Sequence, residues 1–333
     1  MKDVARDAGV SIYTVSATLS GAANVSAELR ARVTESVARL GYERNSMARG
    51  LKRGTSSLVG LIVSDVTNPF FTELVERIQQ AAHRAGYSVL LGISDHDAGR
   101  EAELLALMRS HQAAGTILCP AGSEEDYRDG RLSRGRMQVV ALDNAAPGLG
   151  VDTVVLDNRT AADLAVSHLL ELGHRRIGVV AGLRHQYVSR QRLAGRDVAL
   201  ARAGIPAEAG LVTYGDFRLE EGYACGRELL GLDPPPTAIF VANNLMLIGV
   251  MRALADAGVR VPADMSVCSI DDFPWAPAFQ PALTVVRQPI EAMAEAAFAR
   301  LVGRLEGEEG DATAQRFAPE LVVRQSCAPL GDR

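Results

Sequence analysis

Short apolar runs recur along the chain from residue 58 onward, and amphipathic stretches separate them. The runs read LVGLIV, YSVLLGI, GTILC, MQVVAL, RIGVVAG, TAIFVA and SVCSI; FTELVERIQQAAHRAG and AADLAVSHLLELG are two of the intervening stretches. Strands without polar alternation are typical of parallel sheets buried on both faces, and strand–helix alternation predicts sheets covered by helices. About 270 residues of this pattern predict two doubly wound lobes, with a ligand site at the carboxyl ends of the strands.

The first 44 residues follow a different pattern, that of three short helices. The first runs from Asp3 to Ala8, and Gly9 interrupts it as a tight turn would require. Ser11 is suited to cap a second helix that extends to about Leu19, and Ser26 opens a third that ends at Gly41. Helix, tight turn and helix predict a helix-turn-helix, with a plain three-helix domain as the alternative. The third helix carries an apolar stripe of Leu29, Val33, Val37 and Leu40.

Charge is unevenly distributed along the chain. Residues 1–56 contain nine Lys/Arg and five Asp/Glu, which gives them a net charge of +4. Since the whole chain has a net charge of −5, the remaining residues carry −9. A basic head on an acidic body indicates a polyanionic partner for the head alone, although an ordinary solvated surface would also account for this excess.

The chain has neither an apolar run of 18 residues nor the apolar segment of a secretory signal, so we expect a cytoplasmic protein without a membrane partner. Its four cysteines are far apart in sequence and are expected to be buried thiols. The motifs GxSxG, HExxH and GxxxxGK[ST] do not occur, and His168 and His174 do not fit a metal-binding pair. We therefore expect no enzymatic activity, no cofactor and no metal.

An ordered set of motifs covers nearly the whole chain: DVARDAGVS, TVS, SMARGL, VTNPFF, HLLELGHRRIGVVAG, RQRLAG, FVANN, SIDDF, PALTVVRQP and LVVRQSC. Together they resemble the LacI/GalR family of bacterial transcriptional regulators. The resemblance implies an all-α helix-turn-helix head followed by an α/β core of two doubly wound parallel-sheet lobes, like that of periplasmic binding proteins. It also implies residues before the first helix, because that helix starts almost at Met1 without a capping side chain.

Domain boundaries follow from the resemblance. We expect a DNA-binding head over 1–44, a hinge helix and linker over 45–57, and an effector-binding and dimerisation core over 58–333. The N-lobe would contain about 58–157 and 287–317, and the C-lobe about 158–286 and 318–328.

The resemblance places base-reading side chains on the second helix. Ile12 and Tyr13 would face the bases, and Ala17 stands where the family commonly has an arginine. Arginine reads guanine with a bidentate contact, whereas the Ala17 methyl would contact only a thymine methyl. The hinge would insert Leu51 into the minor groove. The other expected DNA contacts are Ser11, Thr14, Ser16, Ser20, Asn24, Ser26, Asn45, Ala48 and Lys52, and helix capping is an equal alternative for any of the hydroxyl groups.

The resemblance also predicts an effector site between the lobes. Arg192 would donate hydrogen bonds to the ligand, Asp271 would accept them, and Phe217 would form an aromatic wall. Trp275, the only tryptophan, is expected to stack on a sugar face. The remaining expected contacts are Phe70, Phe71, Asn144, Gln186 and Asn243, with core packing an alternative for Phe70, Phe71 and Trp275.

The expected function is a dimeric transcriptional repressor that binds a pseudo-palindromic DNA operator and is switched by a sugar-like effector. Two alternatives stay open at this point. One is a sugar-binding module of the periplasmic type without a DNA role. The other is a regulator that answers to a protein partner, since Val188 and Asn244 depart from the residues that the family commonly has there.

Overall fold

The structure is a computed structural model that describes residues 1–19, 25–42, 56–127, 137–145 and 150–331. The chain divides into two compact units, Met1–Ser56 and Ser57–Arg333. None of the helices within the described residues is long and apolar enough to cross a membrane.

The first unit contains three described helices, α1 (Lys2–Asp7), α2 (Ile12–Leu19) and α3 (Ala27–Arg39). Gly9 turns the chain between α1 and α2 at φ +61°, which favours glycine. One fully buried valine from each helix forms the centre of the core: Val4, Val15 and Val33.

One residue of the predicted stripe on α3 was wrong. Leu40 is 45% exposed, and Ser36 instead is buried against α1. The Ser36 hydroxyl donates a hydrogen bond to the Asp7 carboxylate, which also accepts one from Arg39 at 2.5 Å. This polar link between α1 and α3 takes the place of an apolar contact.

The second unit is built on two six-stranded sheets, which confirms the predicted fold class. The strands of the first sheet are β1 (Leu58–Val63), β2 (Ser88–Ile93), β3 (Gly115–Leu118), β4 (Gln138–Leu142), β5 (Asp152–Leu156) and β11 (Ala314–Phe317). Those of the second are β6 (Ile177–Ala181), β7 (Val212–Tyr214), β8 (Ala238–Val241), β9 (Ser266–Ile270), β10 (Thr284–Arg287) and β12 (Glu320–Val322). The order of the first sheet is β11-β5-β4-β3-β1-β2, and all of its strands are parallel. The order of the second sheet is β12-β10-β9-β8-β6-β7, and only the β10–β12 pair is antiparallel.

Helices pack against both sheets. Those of the first lobe are α4 (Pro69–Arg84), α5 (Ala98–Ser110), α6 (Glu124–Tyr127) and α11 (Ile290–Leu305). Those of the second lobe are α7 (Asn158–Glu171), α8 (Tyr187–Arg202), α9 (Leu219–Leu230) and α10 (Asn244–Asp256). Short 3-10 turns occur at Ala209–Leu211 and Ala276–Ala278.

Polar caps start several of the helices immediately after a strand. Asn68 caps α4 by accepting a hydrogen bond from Phe70 N at 2.9 Å, and Pro69 follows it at the first helical position. Asn243 caps α10 through Met246 N at 2.9 Å. Because these caps lie at the carboxyl ends of the strands, they hold the loops there in defined positions.

The chain passes between the lobes three times: between β5 and α7, between β10 and α11, and between β11 and β12. Each sheet therefore contains strands from distant parts of the sequence. The loops at the carboxyl ends of the two sheets enclose a cavity.

Candidate functional site

The cavity lies between the two lobes, and about 430 Å³ of space, part of it open to solvent, is bounded by its lining. Loops after β1, β2, β3 and β4 and the start of α4 supply one wall, and loops after β7, β8, β9 and β10 with the start of α8 supply the other. The lining residues are Ser64, Asn68, Phe70, Phe71, His96, Pro120, Asp143, Asn144, Gln186, Val188, Arg192, Phe217, Asn243, Asp271 and Gln288.

Eight of the nine side chains expected at the effector site lie in this lining; Trp275 is the exception. Trp275 is 48% exposed and packs edge-on against Phe273, with ring centroids 5.5 Å apart. Phe273 occupies the buried position of the loop after β9, so the tryptophan faces away from the core. The expected stacking of Trp275 on the ligand is corrected accordingly.

Arg192 is held from two sides. Its side chain is 3% exposed, its Nε donates to Asn158 Oδ1 at 2.8 Å, and its Nη1 donates to the Ala242 carbonyl oxygen. A guanidinium has five N–H donors, so these two bonds orient the group and leave donors for another partner.

Two carboxyl groups, those of Asp143 and Asp271, interact electrostatically with the Arg192 guanidinium. Asp271, after β9, accepts a hydrogen bond from Gln288 Nε2 at 2.5 Å, and Asp143 follows β4. Burial raises the pKa of Asp271, against the opposing effects of Arg192 and Gln288. Burial and the Asp271 charge raise the pKa of Asp143 to about 7, although Arg192 lowers it. The cluster can therefore both donate to and accept from hydroxyl groups.

Aromatic rings supply the apolar part of the lining. Phe70 and Phe71 meet edge to face with centroids 5.0 Å apart at the start of α4. Phe217, at φ +62°, stacks on His96 with centroids 5.9 Å apart. A site with apolar walls and a few fixed polar groups has the composition of a small-molecule pocket.

His96 is the main lining residue that sequence reasoning missed. It stacks on Phe217, and its Nδ1 lies 3.3 Å from Gln186 Nε2 on the opposite lobe. Burial lowers the pKa of His96, so the imidazole is neutral at neutral pH and can both donate and accept. The position of Asp143 at the end of a strand was a signal that could have identified that residue too.

Several polar contacts join the two lobes around the cavity. Arg218 Nη2 lies 3.0 Å from Asp95 Oδ1, and Val188 N donates to Asn144 Oδ1 at 3.2 Å. Gln186 Nε2 also approaches the Ala121 carbonyl at 3.4 Å. These contacts hold the lobes together in the described conformation.

The helix α2 displays two neighbouring exposed side chains. Tyr13 is 73% exposed and Ile12 is 47% exposed, both in the first turn of the helix. Such a pair presents an aromatic hydroxyl group and an aliphatic surface, which are the contacts available to a base edge and a thymine methyl.

Two of the serine side chains expected to contact DNA cap helices in the structure. Ser11 Oγ accepts from Thr14 N at 3.0 Å and lies 2.9 Å from Thr14 Oγ1. Ser26 Oγ caps α3 through Leu29 N at 3.4 Å, and Ser16 is partly exposed.

Ala17 is 8% exposed, so its methyl group packs within the unit and offers little surface to a base. The expected direct contact of Ala17 is therefore corrected. The other expected DNA contacts lie outside the described residues: Ser20, Asn24, Asn45, Ala48, Leu51 and Lys52.

A helical head and a two-lobed core with a cavity lined by polar and aromatic side chains are typical of ligand-responsive DNA-binding regulators. Comparisons agree with both parts. Residues 1–45 match "Bacterial regulatory proteins, lacI family", and residues 166–327 match "Periplasmic binding protein-like domain".

The similarity to individual proteins extends over the whole chain. The transcriptional repressor CytR of Escherichia coli is 34% identical over 99% of this chain and 96% of its own. A lac repressor dimer bound to operator and an anti-inducer superposes with a TM-score of 0.87 at 28% identity, covering 98% of each chain. The regulator CelR in complex with cellobiose has a TM-score of 0.74 at 31% identity, with 98% of each chain covered. The chain belongs to the lacI family of bacterial DNA-binding transcriptional regulators.

Proposed function

We propose that this protein is a repressor that binds a pseudo-palindromic operator as a homodimer and is switched by a small hydroxyl-bearing ligand, a sugar or a close derivative. The observation that supports the ligand most directly is the cluster of the buried Arg192 and Asp271 with the partly buried Asp143 in the cavity between the lobes. Relatives described as repressors, and the cellobiose complex of CelR, agree with this proposal.

The chemistry of the cavity favours neutral polyhydroxyl compounds. Its carboxyl groups accept hydrogen bonds, and the guanidinium of Arg192 and the amide of Asn243 donate them. The rings of Phe70, Phe71 and Phe217 pack against apolar C–H surfaces. A ligand that contacts both lobes would stabilise the conformation in which they meet, and the regulator would change its affinity for DNA through that population shift.

Operator reading is assigned to α2. Ile12 and Tyr13 would contact base edges in the major groove, and a dimer would present two such helices to two half-sites. The expected contacts of the head with phosphate position the protein without specifying sequence.

The first experiment is a thermal-shift scan of the full chain against sugars, sugar acids, sugar phosphates and nucleosides. A ligand that binds the native state raises the melting temperature as its concentration exceeds Kd. We expect a neutral sugar to raise it and Arg192→Ala to abolish the shift, because truncation removes a fixed donor and leaves the Asp271 carboxyl without its cationic neighbour.

Arg190→Ala is the matched control, since Arg190 lies on the same helix α8 and is exposed. It should keep the ligand shift, and both variants should keep operator binding in an anisotropy titration. Loss of operator binding in the Arg192 variant alone would contradict its assignment to the cavity. An increase in melting temperature that persists in Arg192→Ala would also contradict this assignment. If no compound in the panel raised the melting temperature, a protein partner would be favoured.

A further inference from the structure

The C-terminal segment after β12 lies alongside the start of β9, where it forms hydrogen bonds with the strand. Ser326 O accepts a hydrogen bond from Val267 N at 2.8 Å, and Ser326 Oγ accepts one from Thr284 N at 2.8 Å. Ala328 N donates to Ser266 Oγ at 3.1 Å. This segment is therefore fixed to β9 and β10 through both backbone and side-chain bonds.

Two cysteines that are 59 positions apart in sequence meet at this contact. The Cys327 thiol donates a hydrogen bond to the carbonyl oxygen of Val267, the residue before Cys268, at 3.2 Å, and each of the two thiol groups shifts the pKa of the other. Cys268 is fully buried and Cys327 is only partly buried. The expectation of four buried thiols is therefore wrong for Cys327, whereas Cys268 is buried as expected.

A histidine completes the cluster. His168 lies on the helix α7, which packs over β9, and its Nε2 is buried without a hydrogen-bond partner among the described residues. Its contact with Cys327 raises the pKa of His168. A partly exposed thiol beside a histidine and a second, buried thiol is the arrangement of a reactive cysteine with a resolving partner.

We propose that Cys327 and Cys268 form a peroxide-sensitive modification site, in which Cys327 is oxidised first and Cys268 then closes an intramolecular disulfide. The Cys327 thiolate attacks one oxygen of hydrogen peroxide; the O–O bond breaks, and Cys327 becomes a sulfenic acid. The released hydroxide takes up a proton to become water. The Cys268 thiol then attacks the Cys327 sulfur; the S–S bond forms, and the sulfenic oxygen leaves as water with the Cys268 proton. Two thiols lose two electrons, and one peroxide becomes two waters.

The protonation states of the two cysteines suit these separate roles. The interactions of Cys327 with Cys268 first, and then with His168 and Thr284, lower its pKa to about 5, against the effect of burial. The pKa of Cys268 is raised by Cys327 and by burial. The lower pKa of Cys327 and its greater exposure make it the cysteine that peroxide reaches first, and Cys268 is the buried partner.

The other two cysteines provide an internal comparison. Cys119 and Cys225 are buried, and burial raises the pKa of both thiols. In the part of the chain that the structure describes, no group of three His, Cys, Asp or Glu side chains is placed to hold a metal ion. Thiol oxidation, and not metal binding, is therefore the chemistry that we assign to the pair.

The test treats the full-length protein with hydrogen peroxide, removes the oxidant with catalase, and counts free thiols by maleimide labelling after denaturation. We expect the count to fall from four to two, and peptide mapping to find Cys268 linked to Cys327. Cys225→Ser is the matched control and should lose two of its three remaining thiols in the same way.

Two further variants separate the steps. Cys268→Ser should accumulate a sulfenic acid on Cys327 that dimedone traps, and Cys327→Ser should retain all three of its thiols. His168→Gln should move the pH profile of Cys327 alkylation to higher pH, which a purely structural histidine would not do. The unmodified protein gives the deciding result even if a variant folds poorly. Four free thiols after peroxide, or a disulfide that includes Cys119 or Cys225, would overturn the proposal.

Discussion

Asp143 is the lining residue whose charge depends most directly on its surroundings. Its carboxyl group is placed near Asp271, which carries the same charge when ionised, and near a single guanidinium, that of Arg192. One positive group cannot fully compensate two negative ones in a site with little water. The cavity therefore has a carboxyl that is partly protonated at neutral pH, and its hydrogen-bonding pattern changes in that range.

This leads to a prediction about pH and stability. Since the pKa of Asp143 is raised to about 7 in the folded protein, its stabilising contribution is complete below the unfolded value near 4 and is lost as pH rises through 7. Asp143→Asn removes that dependence. From about pH 5 to about pH 8, the unsubstituted protein should lose roughly 3 kcal/mol of unfolding free energy through Asp143, and the variant should not show this loss. Urea denaturation without ligand at the two pH values measures this, and parallel profiles would contradict the assignment.

At the scale of single elements, α2 has both a side chain that packs in the core of the head and two that are exposed to solvent. Val15 on this helix is fully buried, whereas Ile12 and Tyr13 project from its first turn. Apolar surface on a small helical unit costs free energy unless a partner covers it, so we propose these two positions as the contacts of the helix with DNA.

Substituting these two residues tests the reading helix. Ile12→Ala and Tyr13→Ala should each weaken operator binding by about 1–3 kcal/mol, because each removes contacts to base edges. Leu40→Ala is the matched control, since Leu40 is 45% exposed and Ile12 is 47% exposed. Anisotropy titrations with operator and with unrelated DNA measure the effect. Equal losses for Leu40→Ala and Ile12→Ala would show that exposure alone, not base reading, is involved.

The pair α9 and α10 is held together by close backbone contact at glycine. A side chain at Gly249 would meet Leu219 O and would come within 2.6 Å of Tyr223 N, both backbone atoms of α9. Gly249→Ala should therefore lower the unfolding free energy by about 1–3 kcal/mol. Gly210→Ala, with nothing within 4 Å of its added carbon, should change it by less than about 0.5 kcal/mol. Thermal or urea unfolding of both variants checks the contrast; similar losses in the two would rule out a special role for the contact.

At the scale of the whole molecule, the described conformation has the two lobes joined across the cavity. Asp95 and Arg218 contribute one of these contacts, and the His96–Phe217 stack contributes another. Side chains of both Asp95 and Arg218 are about half exposed, so this ion pair is worth less than about 1 kcal/mol and is weakened by salt.

Removal of that ion pair should affect ligand affinity slightly and in a salt-dependent way. Arg218→Ala should raise the Kd of the ligand found in the scan by at most about fivefold at low salt, and less at high salt. Arg252→Ala is the control, because its ion pair with Glu220 at 3.5 Å lies within the second lobe. Calorimetric titration measures both. An equal effect of the two substitutions would show that joining the lobes is not the cause.

Strand–helix alternation was sufficient to predict the two-sheet core, because fully apolar runs such as LVGLIV form strands buried on both faces. The site residues Asn144 and Asp271 were predicted from the family resemblance, and the structure places both of them just after strands. His96 was not predictable, since it enters the cavity from a loop with Asp95 and His96 both at positive φ, a conformation that sequence does not indicate. The meeting of Cys268 with Cys327 depends on the return of the C-terminal segment beside β9, a long-range contact without a local signal.

The three passages of the chain between the lobes also bear on how such a protein can change over generations. The first lobe is encoded by two separated stretches of the gene, since α11 and β11 come after nearly all of the second lobe. A single recombination event within the core would therefore pair incomplete halves of two sheets. The head, by contrast, is one continuous stretch that ends by Ser56. We therefore expect that exchanging the head as a whole changes the DNA target without disturbing the core, whereas exchanging the first lobe needs both of its stretches to be replaced together.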